Sequence, residues 1–309
     1  MEWGPLVSGR CLSVEIETAS LNYDQADRLQ SAVRRWRGSI VEDGSIQGVE
    51  VVTAPAGGIH LERQIREICT GLAEADATVN ATCGLHVHID ARDLRWYDLR
   101  RLVILYAAVE PALFDLAPAS RRTSGFCMPC GTRLIEGLAT ARCRGKSKTA
   151  LITNTYGAPP DRAFPRKKTH KYDSARYSAL NLHSYIYRGS VEFRLGSGSV
   201  DPTKILRWCR VLLAVFEASQ RATEAECWSH YAAVGAEALS AWHQRFAVNA
   251  ASQAARRNAW RILPKILVDP QLIAWASARR ARLHPDAPGL DVAAVAESPD
   301  TESEASDGV

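Results

Sequence analysis

Hydrophobic and polar positions recur along this chain with two periods. Leu29, Val33 and Trp36 fall on one helical face within residues 24–36, and Leu61, Ile65, Ile68 and Leu72 do so within 60–75. A third helical stretch covers 94–116, with a kink expected at Pro111. From 202 to 278 the pattern is helical almost throughout, with breaks expected near Pro264 and Pro270. Five shorter segments alternate and predict strands: residues 11–18, 48–53, 83–91, 177–183 and 190–195. Residues 120–174 and 184–189 read as loops, the first far longer than an ordinary connection, and loops of that size usually serve function. Residues 283–309 contain Pro, Ala, Ser and acids with hardly a large apolar side chain, which predicts a disordered acidic tail. We therefore expect one domain over 1–282, with a long loop at about 120–175 and a helical part at 202–280.

Residues two apart in a strand share a face, so polar groups can be assigned to faces before the fold is known. Glu15 and Glu17 share one face, with Val14 and Ile16 opposite; His86, His88 and Asp90 share another, with Leu85, Val87 and Ile89 opposite. Glu192 and Arg194 stand opposite Val191, Phe193 and Leu195, and Glu50 interrupts the apolar run Val49 to Val52. One sheet would collect all of these on the side away from a helical layer. That many carboxylates repel one another unless cations neutralise them. Oxygen-rich ligation with an imidazole suits Mg²⁺ or Mn²⁺ better than zinc, and divalent metal beside arginine is equipment for handling phosphate. Each motif also has a plainer reading: a half-solvated sheet for Glu15 and Glu17, a structural pair or a hydrolytic zinc site for His86 and His88, a cross-strand ion pair for Glu192 and Arg194.

Composition narrows the class. Of 309 residues, 46% are hydrophobic and 23% charged, enough to build a core and unlike a disordered chain. No apolar run approaches the roughly 18 residues of a membrane span, and the start MEWGPLVSGR lacks a signal-peptide pattern, so a soluble cytoplasmic protein is expected. Eight scattered cysteines then read as reduced thiols. The net charge of +4 hides a split: seven acids and no Lys or Arg follow Arg282, which leaves +11 on the rest of the chain. Thirteen Lys or Arg against three acids fall within 121–176, which points to a negatively charged ligand. Cys127 and Cys130, with Cys143, resemble part of a zinc site, but no fourth ligand is obvious.

The motifs in their order carry a resemblance. Val14-Glu15-Ile16-Glu17, Asp43-Gly44-Ser45 with Gly48 to Pro55, Cys83-Gly84-Leu85-His86-Val87-His88, Arg176 to Asn181, and Ser190-Val191-Glu192-Phe193-Arg194 resemble the amidoligases of the glutamine synthetase and glutamate-cysteine ligase superfamily over roughly residues 10–220. The resemblance implies an α+β fold, with a curved antiparallel sheet whose concave face binds ATP and divalent cations and with helices packed behind it. It implies an enzyme that phosphorylates a carboxylate to an acyl phosphate, which an amine then attacks to give an amide or isopeptide bond. By motif matching, Glu17 and Glu50 would hold one metal ion, and Glu15, His86 and Glu192 the ion between the ATP phosphates. Asp43 falls where some relatives have another acidic ligand, and His88 would bind substrate or phosphate. Arg194 and Arg176 would neutralise the transferring phosphoryl group and, with Lys148 and Asn181, contact the nucleotide. Arg121, Arg122, Lys146, Lys148, Arg166, Lys167, Lys168 and Lys171 could close over ATP or an acidic substrate. A structural role is implied for Cys127, since some relatives also place cysteines after an arginine and an aromatic.

The expected partners are therefore a carboxylate and an amine substrate, each a small molecule, a peptide or a protein; neither nucleic acid nor a membrane is expected. The alternatives are a phosphotransferase on the same scaffold, a metal-dependent hydrolase built on His86 and His88, and a binding protein that holds nucleic acid or an acidic partner through the basic segment. Collected, mutually repelling glutamates argue against the last.

Overall fold

The computed structural model describes residues 8–42, 46–139, 176–244 and 249–285. Six strands form one open sheet: β1 (Leu12–Glu17), β2 (Ser39–Glu42), β3 (Val49–Val52), β4 (Gly84–Asp90), β5 (Leu180–Asn181) and β6 (Ser190–Ser197). Their order is β2-β3-β1-β4-β6-β5, and every pairing is antiparallel. Among the described residues there are eleven α-helices. The first six are α1 (Asp27–Arg35), α2 (Gly58–Glu74), α3 (Trp96–Asp115), α4 (Ala119–Arg122), α5 (Gly131–Ala139) and α6 (His183–Arg188). The other five are α7 (Pro202–Arg221), α8 (Glu224–Val234), α9 (Ala236–His243), α10 (Ala250–Leu267) and α11 (Pro270–Leu283). The fold is α+β. None of these helices is long and apolar enough to cross a membrane.

The period-two pattern decides which side of the sheet is dry. Val14, Ile16, Val51, Leu85, Val87, Ile89, Val191 and Phe193 are buried in one cluster with the apolar faces of α2, α3 and α7. Tyr106 of α3 meets Phe193 of β6 with ring centroids 6.0 Å apart. The polar residues between them are left to the other face. Helix starts follow local chemistry: Asp201 accepts the Thr203 N–H ahead of Pro202 in α7, and Asp269 accepts the Gln271 N–H ahead of Pro270 in α11.

Several elements differ from the sequence expectation. Residues 120–139 are not all loop: α4 ends at Arg122 and α5 spans Gly131–Ala139, α5 beginning where the Glu110 carboxylate accepts the Cys130 and Gly131 N–H groups at 2.9 and 2.7 Å. Residues 183–188 form α6, stopped by Gly189 in the left-handed region at φ 70°. The expected break near Pro270 is present, between the end of α10 at Leu267 and the start of α11, but none falls at Pro264. The chain runs helically through Pro264 to Leu267, because Ile262, Leu263, Ile266 and Leu267 are buried and their packing outweighs one lost hydrogen bond. α3 is continuous from Trp96 to Asp115, with Pro111 inside it. The strand expected over 177–183 shrinks to Leu180–Asn181, since Tyr177 and Ala179 bond Met128 instead, at 2.8 Å each. Arg121 and Arg122 are not free to close over a ligand. Arg121 is buried with its guanidinium on the Arg194 carbonyl at 2.6 Å, and Arg122 hydrogen-bonds the His284 ring, which also contacts the Asp115 carbonyl at the end of α3. Asp43, Cys143, Lys146, Lys148, Arg166, Lys167, Lys168, Lys171 and the acidic tail from 286 onward lie outside the described residues.

Candidate active site

Strand register assembles the polar face. Directly opposed residues of an antiparallel pair point to the same side. Ser13 faces His88, His88 faces Glu192 and Glu192 faces Asn181, which makes one row across β1, β4, β6 and β5. Glu15 faces His86 in the next row, and Glu17 faces Glu50 beyond it. The β4–β6 register shifts between Leu85 and Val87, so that Arg194 and Leu195 together oppose His86. Such a bulge re-aims a side chain, and here Arg194 turns back onto Glu192.

The result is a compact, buried constellation. Glu15, Glu17, Glu50, His86, His88 and Glu192 are each at most 8% exposed. Glu15 Oε2 lies 3.1 Å from His86 Nδ1, and Glu15 Oε1 lies 3.1 Å from His88 Nε2. Glu17 accepts the Gly84 N–H at 2.5 Å and stands 3.5 Å from His86 Nε2. A Cβ on Gly84 would come within 2.8 Å of that ring nitrogen, so glycine is required for the close approach. Glu192 accepts from Asn181 Nδ2 at 2.7 Å and is ion-paired with Arg194. Arg194 in turn donates to the Phe126 carbonyl at 3.2 Å and lies over the Tyr177 ring, as Arg176 does from 5.0 Å.

Burial alone would drive these carboxylates toward the neutral form. It raises the Glu15 carboxyl, but hydrogen bonds and charge from His86 and His88 win and hold it well below the ordinary 4.5. Burial likewise opposes ionisation of Glu192, and Arg194 with the two histidines overcomes it. Burial works against the charge of Arg194 too, yet Glu192, Glu15 and Glu17 keep it protonated. Glu15, Glu192 and Arg194 therefore stay ionised.

Two overlapping groups have metal-ligand spacing. One ligand atom from each of Glu15, Glu50 and His86 lie within 4.8 Å of one another, and the same holds for Glu15, His88 and Glu192. Glu15 is shared, His88 joins the second group, and Glu17 belongs to neither. The sequence grouping pairs Glu17 with Glu50, and Glu15 with His86 and Glu192; the structure keeps Glu15, Glu50, His86 and Glu192 in other combinations, adds His88 and leaves Glu17 out. The chemistry of this donor set, carboxylate oxygens with one imidazole per group, fits Mg²⁺ or Mn²⁺. Neither Cys127 nor Cys130 joins a potential metal group among the described residues. Both are buried, with the Cys127 thiol on the Arg121 carbonyl at 3.0 Å, and burial with the Glu110 charge pushes the Cys130 thiol well up.

Three contributors escaped the sequence reading. Arg188 ion-pairs with Glu15 from the end of α6, and Ser184 and Ser190 stand 3.1 and 3.0 Å from His88 Nδ1. The one signal for Arg188 was Gly189 after it, a helix-ending residue beside a short apolar run.

Fold and site together define an α+β protein with a carboxylate and imidazole centre on the polar face of an open antiparallel sheet. Residues 17–216 match the sequence model of a family described as putative amidoligase enzyme, and the chain belongs to that family. Membership supports a ligase-type role. The match begins at Glu17 and takes in Glu50, His86, His88 and Glu192, while Glu15 stands just ahead of it and α8 to α11 follow it. A comparison with curated proteins finds no match.

Proposed function

We propose that this protein is an ATP-dependent carboxylate–amine ligase that forms an amide or isopeptide bond through an acyl phosphate, on a glutamine synthetase-like sheet. The observation that carries the reading is the two ligand groups sharing Glu15, bordered by Arg194 on a dry-backed sheet. Glu15, Glu50, His86, His88 and Glu192 would hold Mg²⁺ or Mn²⁺, which when bound supplies charge neutralisation for phosphate oxygens. Glu17 fixes the start of β4 through the Gly84 N–H and so orients His86 beside it. Arg194, steadied by Glu192, the Phe126 carbonyl and the Tyr177 ring, presents a planar fork of donors suited to a transferring phosphoryl group. Asn181 holds the second oxygen of Glu192, and Arg176 lies close by on Tyr177 to meet nucleotide or acyl phosphate. A carboxylate and an amine do not condense at neutral pH without a leaving group, which the acyl phosphate provides. Family membership weights this reading over phosphate transfer to a stable product or metal-dependent hydrolysis.

The test is a screen of the full chain with Mg²⁺ and ATP against amino acids, polyamines and peptides as acids and amines. ADP and phosphate should appear together with a product whose mass is that of acid plus amine less one water. A phosphorylated acid or amine accumulating as the end product, or ATP-independent cleavage with zinc, would overturn the proposal.

A further inference from the structure

Glu15 is common to both ligand groups, and protein donors already engage both its oxygens. Oε2 lies 3.1 Å from His86 Nδ1, while Oε1 meets His88 Nε2 at 3.1 Å and the Arg188 guanidinium. Arg188 Nη1 also stands 3.4 Å from His88 Nε2, so the guanidinium lies against the Glu15–His88–Glu192 group itself. Its exposure differs from that of its partner: the Arg188 side chain is 45% exposed and Glu15 only 6%. The arginine reaches in from the rim. It ends α6, and Gly189 behind it turns the chain in the left-handed region. The side chain can therefore swing toward solvent without unpacking the core.

A divalent ion on Glu15 would sit within a few ångströms of this guanidinium, and two cations that close in a buried site repel strongly. We propose that Arg188 is a built-in counter-ion that competes with a divalent metal ion for Glu15 and must be displaced when the metal binds. The proposal rests on the metal-dependent reading above and adds a positioning residue to it. Arg188 spares the protein the repulsion among Glu15, Glu50 and Glu192, and sets how much cation is needed to load the site.

The test uses the full chain and Mn²⁺ alone, followed by calorimetric titration and by the electron paramagnetic resonance of free Mn²⁺. Arg188→Gln, which removes the charge, should bind Mn²⁺ about tenfold or more tightly than the wild type. Arg188→Lys, which keeps the charge, should stay close to the wild type. Without Mn²⁺ the Gln variant should melt below the wild type, and on saturation it should gain more. Structural damage weakens metal binding, so a gain in affinity distinguishes competition from misfolding. Wild-type binding with equal or weaker binding by Arg188→Gln would overturn the role of Arg188 and leave the metal site standing. No Mn²⁺ binding by any of the three would overturn the metal site and the proposal together.

Discussion

Glu192 takes a hydrogen bond from Asn181 on one oxygen and an ion pair from Arg194 on the other, and it belongs to a group with metal-ligand spacing. Glu192→Gln keeps the shape and removes the charge, so turnover should fall by about 100-fold or more, as when a charge-stabilising group is lost. Rates near wild type would remove Glu192 from the site. A second residue shows the opposite logic, a group kept neutral. His243 in α9 has its Nδ1 buried with no hydrogen bond among the described residues, and burial, aided by the Arg133 charge, pushes its pKa from 6.5 down to about 4. Below pH 6.5 the unfolded chain takes up a proton there that the folded chain refuses until about pH 4. Its contribution is thus fully present above pH 6.5 and drains away as pH falls through that window. His243→Gln should therefore flatten the wild-type loss of stability between pH 7 and 4 by about 1–3 kcal/mol in urea unfolding. An unchanged slope would contradict this account. At this scale the sequence was readable where side chains obey a strand period, as for Glu15, His86, His88 and Glu192. It was mute for Arg188, because a six-residue helix shows no repeat and its target lies 173 positions away.

Elements were legible in proportion to how much of one face they bury. β1, β4 and β6 alternate cleanly because α2, α3 and α7 cover one side of the sheet. β2 went unseen because it is an edge strand whose four residues are mostly exposed and carry no apolar alternation. α4 and α5 were hidden in a basic stretch, where the composition of 120–174 as a whole masked the apolar positions Leu134 and Leu138. What fixes α5 is a contact from a distant element, Glu110 of α3, whose carboxyl is raised by burial despite the N–H groups it accepts. Glu110→Ala would leave two buried donors unpaired. We expect a loss of about 2–4 kcal/mol in chemical denaturation, and a loss under about 0.5 kcal/mol would mean that α5 does not depend on this cap.

Over the whole molecule, α2, α3 and α7 gather on the apolar side of the sheet and leave Glu15, Glu17, Glu50 and Glu192 together on the other. Burying four carboxylates on one face costs stability that bound cations return by mass action. Saturating Mg²⁺ or Mn²⁺ should therefore raise the melting temperature by several degrees, and EDTA should reverse the shift. A melting curve indifferent to both would mean that the face is not a metal site. The central claim is that a carboxylate is activated as an acyl phosphate, and oxygen transfer tests it most directly. With an acid substrate labelled with ¹⁸O in its carboxylate, the carboxylate oxygen that attacks the γ-phosphorus leaves with the phosphate when the amine displaces it. Mass spectrometry of the phosphate released by the wild-type enzyme should then show one ¹⁸O per amide formed; amide formation with unlabelled phosphate would contradict the account.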